Sequence, residues 1–139
     1  MKKILYISIL VFFFACSDKK EPLQLFSPEA FAYTLDSGWE LNASVRVRNF
    51  TQENEDDKYQ AKLSYSVDLV KPSGEKISDV DDGIIDESSE EEFQDLPIEL
   101  QLELSDSYQT GSYSLIFKVT DDYSSETDTL SQPFILSSD

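Results

Sequence analysis

Residues 39–48 read Trp-Glu-Leu-Asn-Ala-Ser-Val-Arg-Val-Arg, and their alternation decides the fold class. Trp39, Leu41, Ala43, Val45 and Val47 fall on one side of an extended chain, and Glu40, Asn42, Ser44, Arg46 and Arg48 fall on the other. An unbroken period of two is the signature of a strand with one buried and one wet face. A wet face points to antiparallel pairing, because parallel sheets are covered on both sides. The run from Lys58 to Leu69 repeats the pattern. Tyr59, Ala61, Leu63, Tyr65, Val67 and Leu69 point inward, and Lys58, Gln60, Lys62, Ser64, Ser66 and Asp68 point outward. Between the two runs lies Gln52-Glu53-Asn54-Glu55-Asp56-Asp57, a charged stretch that reads as a solvated loop, so the two strands are expected to pair as a hairpin.

Working outward, Ala30 to Leu35 reads as a short first strand closed by Asp36-Ser37-Gly38, residues that favour turns. Lys71-Pro72-Ser73-Gly74 is a second turn. Glu75 to Ile77 reads as a brief strand, and residues 78–92 as an irregular acidic segment in which Ile84-Ile85 enters the edge of the core. Ile98, Leu100, Leu102 and Leu104 alternate with Glu99, Gln101 and Glu103; a helix would scatter these four apolar residues around its axis. Tyr113, Leu115, Phe117 and Val119 alternate next. A last strand runs from about Glu126 to Leu136, with Pro133 suited to an edge. Six or seven strands, polar turns and no helix predict a single all-β, antiparallel sandwich.

The segment Asp106-Ser107-Tyr108-Gln109-Thr110-Gly111-Ser112-Tyr113-Ser114-Leu115 resembles the tyrosine corner of immunoglobulin-like domains. Gly111, Tyr113, Leu115, Val119 and Asp121 together look like the penultimate strand of bacterial immunoglobulin-like and fibronectin-like modules. The resemblance implies an immunoglobulin-like β-sandwich in which Leu115 stands where antibodies place a cysteine, so no inter-sheet disulfide is expected. Trp39 departs from the antibody pattern, since it heads the second strand and does not sit in the middle of the third. The resemblance implies a fold and no activity.

The N-terminus carries the other signal. Met1-Lys2-Lys3 precedes an apolar run from Ile4 to Ala15, which is shorter than the ~20 residues a membrane-spanning helix requires. Ala15-Cys16, followed by Ser17-Asp18-Lys19-Lys20, resembles the lipobox of bacterial lipoproteins, with Phe13 where that pattern prefers Leu. The resemblance implies a signal peptide over 1–15 and acyl chains, palmitate among them, on Cys16. It also implies residence in the cell envelope at the outer membrane, facing either the periplasm or the surface. Residues 16–24 then read as the lipidated cysteine and a flexible tether, and 25–139 as the sandwich domain.

Composition removes many activities. The chain has no histidine and Cys16 is its single cysteine, which excludes imidazole catalysis, His-ligated zinc and disulfides within the domain. The formal charge of −17 falls to −19 when the leader takes Lys2 and Lys3 with it, which argues against nucleic acid as a partner. No phosphate-binding glycine loop, nucleophile elbow or cofactor motif is present, and with 28 acidic residues a pair of carboxylates at catalytic spacing has no diagnostic value. No enzyme and no cofactor are expected. Asp79-Val80-Asp81-Asp82-Gly83-Ile84-Ile85-Asp86-Glu87 is the candidate calcium or glycan loop, although it fails the EF-hand template at its first, third and last ligand positions. Arg46 and Arg48 on one strand, with Lys58 and Lys62 on its expected hairpin partner, would form a basic patch for an anionic glycan or an acidic protein. The chain thus reads as a lipid-anchored binding or accessory module whose partner is an envelope protein.

Overall fold

The computed structural model describes residues 20–138, which form eight strands and no helix. These are β1 (Gln24–Thr34), β2 (Trp39–Arg48), β3 (Glu53–Glu55), β4 (Lys58–Val70), β5 (Lys76–Ser89), β6 (Leu96–Leu104), β7 (Gly111–Asp121) and β8 (Thr127–Leu136). All pairings are antiparallel. One sheet has the order β1-β2-β6; in the other, β5, β4, β7 and β8 are neighbours in that order. Strand β3 pairs with the start of β4 on the edge that β7 occupies further along. The chain therefore changes sheet after β2, after β5 and after β6.

The inward residues expected from alternation meet in one core. Leu41, Val45, Val47 and Ile98 from the first sheet and Leu63, Val67, Leu69, Leu115, Phe117 and Val119 from the second are all buried. The outward residues of β2, β4 and β7 line the two solvent faces, so the period-two reading holds for these strands.

Several expectations are corrected. Strand β2 does not form a hairpin with β4: its ladder partners are β1 and β6, and β4 lies in the opposite sheet. The first strand begins at Gln24 and not at Ala30, interrupted by a bulge between Phe26 and Glu29 with Ser27 at φ 50°. The stretch 52–57 is not all loop, because Asp56 and Asp57 both take positive φ and close a two-residue hairpin between β3 and β4. Residues 78–89 are not irregular; they belong to β5, a 14-residue strand along the open side of β4. Ile84 does not enter the core and is 69 % exposed, whereas Ile85 packs against it. Leu23 is buried in the core and Gln24 opens β1, so the folded domain starts before residue 25.

Two details fix the turns at one end. Gly38 has φ +80°, and a Cβ there would lie 2.1 Å from the Leu104 carbonyl oxygen, so the β1–β2 turn sits hard against the end of β6. At the entry to β7 the Tyr113 hydroxyl donates to the Gln109 carbonyl at 2.6 Å, its ring stacked on Phe134 at 5.5 Å. Burial pushes the Tyr113 phenol above its ordinary pKa, with Lys71 opposing and Tyr108 adding to the rise, so the hydroxyl remains a donor.

Candidate binding surface

The four cations proposed as a patch are separated. Arg46 and Arg48 project from the outer face of the β1-β2-β6 sheet, while Lys58 and Lys62 project from the outer face of the other sheet. The two pairs stand back to back, so no common basic patch forms. Arg46 is in a close ion pair with Asp95. Arg48 lies over the Phe26 ring, 4.4 Å from its centroid, and donates to the Gln24 side chain at 2.9 Å. Both arginines cover their own sheet. Lys62 stands opposite Asp86 in the β4–β5 ladder. Cys16 lies outside the described residues.

The acidic segment 79–87 also differs from a ligand loop. It runs along β5, and strand geometry sends alternate side chains to opposite faces. Calcium needs six to eight oxygens converging on a point, which this arrangement does not supply. Among the described residues no group of three or more ligating side chains could hold a metal ion. Gly83 lies mid-strand opposite Tyr65 and not in a loop, and a Cβ there would come within 2.6 Å of the Tyr65 hydroxyl. The missing side chain makes room for that ring. Burial, and after it Asp81 and Asp82, raise the Tyr65 phenol above its usual pKa.

A buried carboxylate unites the other end of the sandwich. Asp121 is wholly buried and accepts the Thr51 amide at 2.6 Å and the Tyr123 amide at 3.0 Å. Burial alone would raise its pKa. The amides of Thr51 and Tyr123 and the hydroxyls of Ser124 and Thr51 outweigh that and hold it below the ordinary carboxylate value. Asp121 ties the segment after β2 to the β7–β8 turn. It is a structural bolt with no open space around it for chemistry.

The surface with unmet potential lies elsewhere, on the strands at the side of the sandwich. Strands β1 and β8 run in the same direction, since the Leu23 amide donates to Glu126 and the Leu25 amide to Asp128. These carboxylates occupy the upper part of the seam. Below the β1 bulge no ladder joins the two strands. There a groove of about 430 Å³ is lined by Ala30, Phe31, Ala32, Tyr33, Pro133, Phe134 and Ile135. Phe31, Tyr33 and Ile135 are 56 %, 57 % and 67 % exposed. Sequence reading did not find this site: Phe31 and Tyr33 occupy the outward positions of their strand with alanines inward, the reverse of the large-inward facing that alternation suggests. Beside the groove, the Asn42 amide donates to Glu40 at 2.9 Å. Hydrogen bonds from Asn42 and then Gln101 hold the Glu40 carboxyl below its usual pKa, so it stays charged. In a second hollow of about 460 Å³, Lys71 lies over the Tyr108 ring and pairs with Glu75 at 3.3 Å.

No family model matches this chain, and no curated protein matches it.

Proposed function

We propose that this chain is a lipid-anchored, non-enzymatic binding module of the bacterial cell envelope, built on an immunoglobulin-like sandwich and held at the outer membrane through Cys16. The observation that carries a binding role is the pair of aromatic rings on β1, with Ile135 beside them, exposed on a molecule of formal charge −17. Large apolar side chains grouped on an otherwise highly charged surface favour a contact with another molecule. The immunoglobulin-like reading is supported by the three changes of sheet and by the Tyr113–Gln109 bond at the entry to β7.

The way the chain enters the domain sets how an anchor at Cys16 would act. Lys20 donates to the Thr51 hydroxyl at 2.7 Å, Asn49 donates to the Pro22 carbonyl at 3.0 Å, and Leu23 is in the core. A chain spans at most about 3.4 Å per residue. Cys16 is therefore within roughly 14 Å of a fixed point on the domain, and acyl chains there would hold the sandwich close to a bilayer. Labelled palmitate fed to bacteria expressing the full chain tests this. Label should enter the protein in the membrane fraction, and Cys16→Ser should abolish the label and release the protein. Unlabelled wild type, or a labelled Cys16→Ser protein, would refute the anchor.

A further inference from the structure

We infer that the groove between β1 and β8 is a docking site for an amphipathic basic segment of a partner protein, in which apolar side chains alternate with lysine or arginine. The inference rests on the binding-module reading and assigns that module its contact surface.

The floor of the groove is apolar. Ala30 and Ala32 are small, and Phe31, Tyr33 and Ile135 stand around them with more than half of their surfaces in water. Covering such rings is the main source of affinity at protein contacts, where aromatic anchors dominate. The fold does not need them exposed. The same β1 keeps Phe26 covered by Arg48, and β2, β6 and β7 place most of their large apolar side chains in the core.

Charge selects the occupant. Neither β1 nor β8 carries a lysine or arginine. Glu29 is two residues before Phe31 on the same face, and the β1–β2 register sets Tyr33 beside Glu40, which in turn stands beside Glu103 on β6. Like charges opposite one another in a sheet are unfavourable, and Glu40 is held ionised by the amides around it. The nearest cations on this sheet are engaged, Arg46 with Asp95 and Arg48 with Phe26 and Gln24. A partner bringing its own cations meets both requirements: its apolar side chains cover the rings, and its ammonium or guanidinium groups reach the carboxylates or ring faces. A second copy of this chain brings another −17 and no cations on β1 or β8, so self-association is opposed by charge.

The test titrates the full chain, purified in a mild non-ionic detergent, against a fluorescent decapeptide of alternating valine and lysine. Fluorescence anisotropy should rise to saturation. The paired variant Phe31→Ser with Tyr33→Ser should weaken binding about tenfold or more while still unfolding cooperatively in urea, since each ring is more than half in water. A control variant, Asp79→Asn, Asp81→Asn, Asp86→Asn and Glu87→Gln, removes four charges from β5 on the opposite side and should leave affinity within about threefold. Equal losses in the two variants would show diffuse attraction between polycation and polyanion, and would overturn the assignment. So would failure to saturate, or equal binding of an alternating valine–glutamate decapeptide. Binding of a hexamer of N-acetylglucosamine that disappears with the two rings would give the groove to glycans instead. A dimer, seen by light scattering and lost in the ring variant, would give it to a second copy. The titration reads Phe31 and Tyr33 and the lipid label reads Cys16, so either conclusion can fail alone.

Discussion

Replacing Asp121 tests whether one buried carboxylate couples two distant loops. In Asp121→Ala the amides of Thr51 and Tyr123 lose their acceptor inside the protein. Each orphaned donor costs about 1–3 kcal/mol, and hydrogen bonds to a charged group lie at the upper end of such effects. Both sites are partly buried, so some hydration returns and the expected loss is about 3 kcal/mol. For a domain of this size that corresponds to a fall of roughly 12 °C in melting temperature. Asp121→Asn keeps one acceptor oxygen and should lose about half as much. The pH dependence has a definite sign. The folded-state pKa of Asp121 lies below its unfolded value, so its contribution is fully present above about pH 4 and is lost as pH falls through the folded pKa. The gap between wild type and Asp121→Asn should therefore be widest near neutrality and narrow on acidification. Trp39, the single tryptophan, is buried and donates to the Ser137 carbonyl, so its fluorescence reports urea unfolding of the detergent-solubilised protein. A loss under about 1 kcal/mol in the alanine variant, or a gap that stays constant from pH 7 to pH 3, would refute the reasoning.

Other substitutions probe the frame around the groove. Gly38→Ala meets both a left-handed backbone and the Leu104 carbonyl, and should cost about 2 kcal/mol or more by urea titration. Tyr113→Phe removes the bond to the Gln109 carbonyl and should cost about 1 kcal/mol; in wild type, ultraviolet titration should show a phenol that ionises later than free tyrosine. Arg46→Ala breaks only a surface pair with Asp95 and should change stability by less than about 1 kcal/mol, an effect that shrinks further in high salt. Gly83→Val should displace the Tyr65 ring and weaken the β4–β5 pairing, seen as faster amide exchange confined to β5.

Alternation revealed β2, β4, β6 and β7 because each has one face in the core and one in water, the condition under which sequence records the period directly. It failed for β5, whose residues are exposed or half-buried on both faces and whose aspartates and glycine disfavour strands. What holds β5 in place is its partner β4, and a propensity argument cannot see a partner. The same gap explains the basic patch. Period two correctly set the four cations outward, yet it contains nothing about which strands are neighbours, and a three-residue strand with a tight turn separates β2 from β4 where a direct hairpin was expected. The groove was half legible. The strand holding Phe31 and Tyr33 was legible, but not their outward facing, since the large members of an apolar alternation ordinarily point to the core; Ile135 joins them only because β1 and β8 run side by side across 103 residues of sequence.

That parallel course of β1 and β8 has a mechanical consequence. Leu23 lies beside Glu126 at one end of the seam, and Tyr33 lies near Ile135 at the other, roughly 30 Å away along the strands. The chain thus enters the domain at one pole and leaves β8 at the opposite one. Were Cys16 acylated as proposed, tension between a membrane at the entry pole and a load on the groove would be directed along β1. The hydrogen bonds between β1 and β2 would then be strained together and would not peel one at a time. The rate of forced unfolding, more than equilibrium stability, would set how long such a connection survives.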